Sequence, residues 1–418
     1  MTRLNVTRFV SRCVVRLIPL ALAAFALSAC GDRRDAPVHS TSSPEQIARG
    51  RYLAHAADCA ACHTANGGAP FAGGVKLQSQ FGTFYGTNIT PDTKYGIGSY
   101  SADDFYAVLH EGKSPNGKLY PAMPYTSYRQ ITREDSDALY AYLMAQKPAA
   151  VPSVKPVLSF PYNVRLAVRF WDMLFLNDTL PDASQGQSAD WTRGRYLANA
   201  LGHCAECHTP RGAFGQLQDA KTLQGEALGR VGAPDITPQA LAARGWNAAD
   251  LQTFFATGVA RQGSAYGEMH PVIYLSTQHL DSNDLRALAT YLLGDKPQAA
   301  APLAAIQSGD ATRLAAGRSL YLDSCAGCHG HEGEGKPHVT VAMNGNSTLR
   351  LADPRNLIVS MLDGIKAQPF PHGEAMQDMP GFAGTYSDEQ IAELANYLRA
   401  TWGGQPADIT ADKVKSLR

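Results

Sequence analysis

Several things are scarce in this 418-residue chain, and each shortage closes a door. Charged residues make up only 18%, and lysine plus arginine match aspartate plus glutamate at 37 each. No basic run stands out, so the electrostatic footprint of a nucleic-acid binder is missing. The apolar stretch Leu17–Leu27 is too short to span a bilayer comfortably, since a span needs about 20 residues. A nucleotide-binding glycine loop is also absent. Gly333 and Gly335 start such a pattern, but His338 stands where its third glycine belongs. Oxidation of an organic substrate by a nicotinamide or flavin site is therefore not expected of this chain.

What is there begins with an export signal. Arg3, Arg8, Arg12 and Arg16 precede the Leu17–Leu27 stretch. Leu27-Ser28-Ala29-Cys30 resembles a bacterial lipobox, so residues 1–29 are expected to be removed and Cys30 lipidated. Several acyl chains would anchor stably, at about 0.8 kcal/mol for each buried CH₂. Removing residues 1–29 takes away four arginines and no acid, which leaves 33 basic and 37 acidic side chains. A mildly acidic surface suits protein partners better than nucleic acid. The expected location is the periplasmic side of the inner membrane.

There are eight cysteines. Cys13 leaves with the signal and Cys30 is the lipidation candidate. The other six form Cys59-Ala-Ala-Cys62-His63, Cys204-Ala-Glu-Cys207-His208 and Cys325-Ala-Gly-Cys328-His329. Each is a C-x-x-C-H motif for covalent haem c, and none is left for a disulfide. Cysteines three apart lie about one helical turn from each other, so both thiols reach the vinyl groups of one haem. The following imidazole then comes under the iron. Paired C-x-x-C motifs that bind zinc usually lie close together, whereas these are more than a hundred residues apart. A thioredoxin-like motif would need a βαβ context. Three covalently bound haems are expected.

The motifs recur like beads. Arg49-Gly50-Arg51-Tyr52-Leu53-Ala54 returns as Arg193-Gly194-Arg195-Tyr196-Leu197-Ala198, and more loosely as Gly317-Arg318-Ser319-Leu320-Tyr321-Leu322. A helix is predicted to lead into each motif, capped in the first copy by Ser43 with Pro44 and Gln46 after it. A closing helix carries Leu139, Tyr142 and Leu143, then Leu288, Tyr291 and Leu292, then Leu394, Tyr397 and Leu398, each set on one face. Thr132 and Ser387 are its expected N-caps. These faces should pack the closing helix on the leading one. Asn88-Ile89-Thr90-Pro91 and Asp235-Ile236-Thr237-Pro238 form a second repeated element, a loop beside the haem.

The expected fold is mostly α: three tandem cytochrome c-like haem domains joined by Pro/Ala-rich linkers. Their ranges are 43–148, 188–297 and 312–403. The linkers are 149–187, which includes an apolar helix, and 298–311. A frayed tail is expected at 404–418.

A low-spin electron-transfer haem needs a second axial ligand, usually methionine or histidine. Met123 follows His63 by 60 residues, and Met269 follows His208 by 61. In the third copy Met379-Pro380 mimics Met123-Pro124, with Met376 as its competitor. His270 is a lesser alternative for the second haem. His55 and His203 read as surface or propionate contacts. The metal ligands are thus expected to be His63, Met123, His208, Met269, His329 and Met379.

With three such motifs in this order, the chain resembles the triheme cytochrome c subunit of bacterial membrane-bound dehydrogenases. The resemblance also rests on Thr87-Asn88-Ile89-Thr90-Pro91, on Leu119-Tyr120-Pro121-Ala122-Met123-Pro124-Tyr125 and on Phe160–Leu176. It implies a catalytic partner of quinoprotein, flavoprotein or molybdenum type that oxidises an alcohol, sugar acid or aldehyde. It further implies delivery of electrons to ubiquinone or a terminal oxidase. The alternative is a peroxidase-like haem enzyme with one open haem; a haem sensor ranks last. Within Asn163–Leu176, Arg165, Arg169 and Asp172 share one helical face and apolar residues cover the rest. Packing between haem domains is the expected use of that helix, and docking to the membrane or the catalytic subunit is the sharper one.

Overall fold

A computed structural model describes residues 42–176, 186–302, 312 and 314–418. Cys30, and with it the expected lipidation site, lies outside the described residues.

One helical arrangement appears three times along the chain. The first unit has α1 (Pro44–Ala56), α2 (Ala102–Glu111) and α3 (Arg133–Met144). The connecting helix α4 (Leu166–Phe175) follows. The second unit has α5 (Ala189–Tyr196), α6 (Ala248–Thr257) and α7 (Ser282–Leu293). The third has α8 (Ala315–Ser324), α9 (Arg355–Asp363) and α10 (Asp388–Leu398), with a last helix α11 (Ala411–Lys415). Strands are short antiparallel hairpins. Val157–Leu158 of the connector adds to one of them, pairing with Gly82 and Thr83.

Leading and closing helices cross in every unit, as the repeated Leu-Tyr-Leu faces predict. The reason lies at one residue of each leading helix. A Cβ on Gly50 would stand 1.9 Å from the Ala138 carbonyl oxygen, on Gly194 1.9 Å from that of Ala287, and on Gly317 2.2 Å from that of Glu393. Only glycine allows this backbone approach. The helices start where expected: Ser43 accepts from the Gln46 N–H, Thr132 from that of Asp135, and Ser387 completes a capping box with Gln390.

Three units share two cores. Leu53, Leu139 and Leu143 of the first unit and Leu197, Leu288 and Leu292 of the second belong to one buried cluster. Ile358, Ile391, Leu394 and Trp402 belong to another, confined almost wholly to the third.

One expectation is corrected and another is narrowed. The tail is not frayed. Val414 and Leu417 are buried in the third core, and Ile409 exchanges two hydrogen bonds with the Asn396 side chain, both 2.9 Å. The period is lost there because the segment is a loop and a single helical turn, which need no repeat to pack. Helix α4 packs between the first two units on one side only, through Asp172 to Tyr125 and Lys118 and through Trp171 to the Phe214 carbonyl. Its Val168 and Asp172 are buried, but Leu166, Phe170, Met173 and Leu174 face outward.

Candidate cofactor-attachment site

Each C-x-x-C-H motif folds as one short helical turn at the end of its leading helix, over Cys59–His63, Ala205–His208 and Ala326–His329. In the first two the residue before the pair has a positive φ, 49° at Asp58 and 39° at His203. This left-handed residue breaks the leading helix and turns the cysteines aside. The second copy has one residue more between its Arg-Gly-Arg-Tyr and its first cysteine. The surplus is taken up inside the helix, which widens to π geometry over Leu197–Leu201.

The six thiols are free of disulfides. Burial pushes Cys59 and Cys204 up to about 12 and Cys325 up to about 11. Burial first, then the neighbouring Asp58 and Cys207, push Cys62 up to about 11. Metal ligation needs thiolates, which such sites disfavour, whereas an uncharged thioether suits them. The three motif histidines have their Nδ1 atoms engaged. Nδ1 of His63 donates to the Thr87 carbonyl at 2.6 Å, and Nδ1 of His208 to that of Pro234 at 2.7 Å. His329 Nδ1 lies 3.2 Å from Thr340 Oγ1. A carbonyl can only accept, so Nδ1 carries the proton in the first two and Nε2 keeps its lone pair for a metal. Burial lowers the pKa of all three rings, which keeps them neutral as ligation requires.

The carbonyls that hold His63 and His208 belong to the residues just before the second repeated element. Asn88 Oδ1 accepts from the N–H and hydroxyl of Thr90 at 2.9 and 2.7 Å, and Asp235 Oδ1 from those of Thr237 at 2.8 and 2.6 Å. These turns fix the residue just before them, Thr87 or Pro234. Asn88 also donates to the Ala149 and Val151 carbonyls and so pins the start of the connector.

Met123 and Met269 pack, half-buried, on the core that also takes Cys59 and Cys204. Met379 packs on the third core with Cys325, and Met376 does not. Met379 is further held by two 2.9 Å backbone hydrogen bonds with Ile365. His270 is engaged elsewhere: its Nε2 donates to the Pro369 carbonyl of the third unit at 2.8 Å. His55 and His203 differ from the surface reading. His55 stacks on His279 of the second unit at 3.9 Å, and His203 meets the edge of Tyr128 of the first.

Sequence reading passed over two residues at this junction. Glu206, between the second pair of cysteines, accepts from Thr126 of the first unit at 2.7 Å and from Arg211 at 2.6 Å. Asp58 is buried beside the first pair. Burial pushes its pKa up to about 8, and its Oδ1 has no hydrogen-bond partner. Nothing in the spacing marks either residue, because each depends on a neighbouring unit or on depth.

The Cytochrome c family profile matches residues 47–147 and 314–402. The chain is 35% identical to the alcohol dehydrogenase (quinone) cytochrome c subunit of Gluconobacter oxydans, over 89% of this chain and 82% of the relative. It is 36% identical to the fructose dehydrogenase cytochrome subunit of Gluconobacter japonicus, over 91% and 84%. It is also 36% identical to the gluconate 2-dehydrogenase cytochrome c subunit of Pantoea cypripedii, over 89% of each chain.

Proposed function

For a chain that belongs to the cytochrome c subunits of bacterial membrane-associated dehydrogenase complexes, we propose a role as a triheme relay between a catalytic subunit and the respiratory chain. It is an electron-transfer subunit and does not itself oxidise the organic substrate. The observation that carries the triheme reading is the threefold recurrence of two free thiols and a buried or half-buried, neutral histidine whose Nδ1 is engaged. Bound haem supplies a one-electron couple near each motif. The chain's part would be to hold each group by two thioethers, with Nε2 of His63, His208 and His329 and the sulfurs of Met123, Met269 and Met379 as its iron ligands. With both ligands in place no position would be open for peroxide, and methionine would raise the potential.

The donor is a catalytic dehydrogenase subunit of quinoprotein, flavoprotein or molybdenum type. The acceptor is ubiquinone or a terminal oxidase, and Cys30 is the lipid anchor on the periplasmic side. Among the described residues no helix is long and apolar enough to cross a membrane.

The test is a visible spectrum of the native membrane complex while alcohols, aldehydes and sugar acids are added in turn. Rapid reduction of low-spin haem by one class is expected. Reduction by dithionite alone would reject the dehydrogenase partnership. High-spin haem with peroxide turnover would favour the peroxidase reading.

A further inference from the structure

We propose that the outer face of α4, with the extended segment before it, is an in-plane docking surface for an anionic lipid bilayer. The inference rests on the membrane-associated reading above and adds the place of contact.

The face is apolar and open. Leu166, Phe170, Met173 and Leu174 are 58–73% exposed, and Phe160 just upstream is 81% exposed. The four helical positions follow an i, i+4, i+7, i+8 spacing, which makes one stripe. Singly exposed apolar residues are ordinary, but a contiguous stripe marks a contact surface. Phe214 of the second unit, 69% exposed, stacks on Phe175 and extends the patch across the junction.

The helix cannot roll to hide this stripe. On its inner side Asp172 accepts from the Tyr125 hydroxyl at 2.8 Å and pairs with Lys118 at 2.7 Å. Trp171 Nε1 donates to the Phe214 carbonyl at 2.9 Å. Three polar ties therefore fix which face points outward.

Charge selects the occupant. Residues 147–176 carry Lys147, Lys155, Arg165 and Arg169, all exposed, and one acid, the buried Asp172. An exposed apolar stripe on a segment whose exposed charges are all cationic, Arg165 and Arg169 at the helix itself, fits the headgroup region of an anionic leaflet. At ten residues the helix is about 15 Å long, enough to lie in the interface and too short to cross it.

The test uses the full-length, haem-loaded chain carrying Cys30→Ala, so that no acyl chain contributes. Cosedimentation is measured with phosphatidylglycerol-containing vesicles and with pure phosphatidylcholine vesicles. Binding to the anionic vesicles is expected, at least tenfold weaker on phosphatidylcholine. Phe170→Glu with Leu174→Glu should weaken it at least tenfold with haem content and Soret band unchanged. Arg169→Glu should reduce the preference for anionic lipid about tenfold. The milder Phe170→Ser with Met173→Ser guards against a folding defect and should weaken binding in the same direction. Unchanged binding by these variants, or none by the Cys30→Ala chain, overturns the proposal. So does a variant that still binds vesicles but no longer copurifies with the catalytic subunit, because the face then belongs to that protein. Failure of the relay reading is seen separately, as loss of substrate-driven haem reduction with vesicle binding intact.

Discussion

The first and second units meet by exchange, whereas the second and third meet by simple contact. In the first joint, Tyr52 of the first unit donates to Asp284 of the second at 2.7 Å, and Tyr196 of the second donates to Asp135 of the first at 2.6 Å. Arg49 and Arg193 pair with the aspartate of their own unit. Burial alone would raise the Asp284 pKa, but hydrogen bonds from Arg193 and Tyr52 outweigh it and hold the group below the usual carboxylate range. Among the described residues the second joint has no exchanged tyrosine–aspartate pair. It uses Arg230 with Asp363, Gly232 with the Asn356 side chain, the backbone pair Ser347–Gln262, and His270 with Pro369. The cause is readable at three positions. Where the first two units have Arg, Tyr and Asp, the third has Ala316, Ser319 and Gln390. A tandem copy that loses the exchanging trio keeps its fold and loses its partner, and the division into two cores follows the same line.

The sharpest way to break this comparison is to remove one cysteine pair at a time and count haem per chain by pyridine haemochrome. Cys325→Ala with Cys328→Ala is expected to cost one haem, because the third core stands largely alone. Cys59→Ala with Cys62→Ala is expected to lower the second unit's haem occupancy as well, because the two units share a core. Equal losses would show that the shared core does not couple them.

Next in size is Asp135→Ala, which removes the acceptor of the Tyr196 hydroxyl and the nearer of the two carboxylates paired with Arg49. Since Arg49 is half-exposed, the expected loss is about 2 kcal/mol in urea unfolding, against less than about 0.5 kcal/mol for Gln390→Ala at the matching place. A smaller effect is expected at Asp58. Its folded pKa of about 8 lies far above the 3.8 of a free carboxyl, so the folded state holds a proton that the unfolded chain releases. Stability linked to this group is complete below pH 3.8 and is lost as pH rises through 8. Asp58→Asn should flatten that decline and gain about 1–2 kcal/mol at neutral pH, as read from unfolding midpoints across pH. Smallest of all, Arg230→Ala breaks the exposed pair with Asp363 in the second joint. The expected cost is below about 1 kcal/mol, erased by high salt.

The helices, their caps and the loops that hold His63 and His208 were legible because each follows from a local signal. A serine or threonine stands before a helix, a glycine stands where backbones cross, and Asn or Asp precedes Ile-Thr-Pro. The short helical turns at Cys59–His63, Ala205–His208 and Ala326–His329 were legible because the motif is contiguous in the chain. The joints were not. Tyr52 and Tyr196 look like ordinary helix residues until a second unit supplies an aspartate 232 or 61 positions away. The outward face of α4 was hidden for a related reason. An apolar helix must be covered, but the pattern does not say by what, and Asp172 reads as a surface charge until Tyr125 and Lys118 close on it. The last helix escaped because five residues are too few to show a period.

The widened turn at Leu197–Leu201 bears on how such chains diverge. An extra residue in a repeat would ordinarily be expected in a loop, where it disturbs little. Here it sits in a helix, directly upstream of the motif, and on either side of it Gly194 still meets the Ala287 carbonyl and His208 still donates to Pro234, as Gly50 and His63 meet Ala138 and Thr87 in the shorter copy. Drift in length was thus decoupled from drift in orientation. A gene that duplicates its domains can let one copy grow or shrink by a residue without losing the alignment on which its cofactor depends.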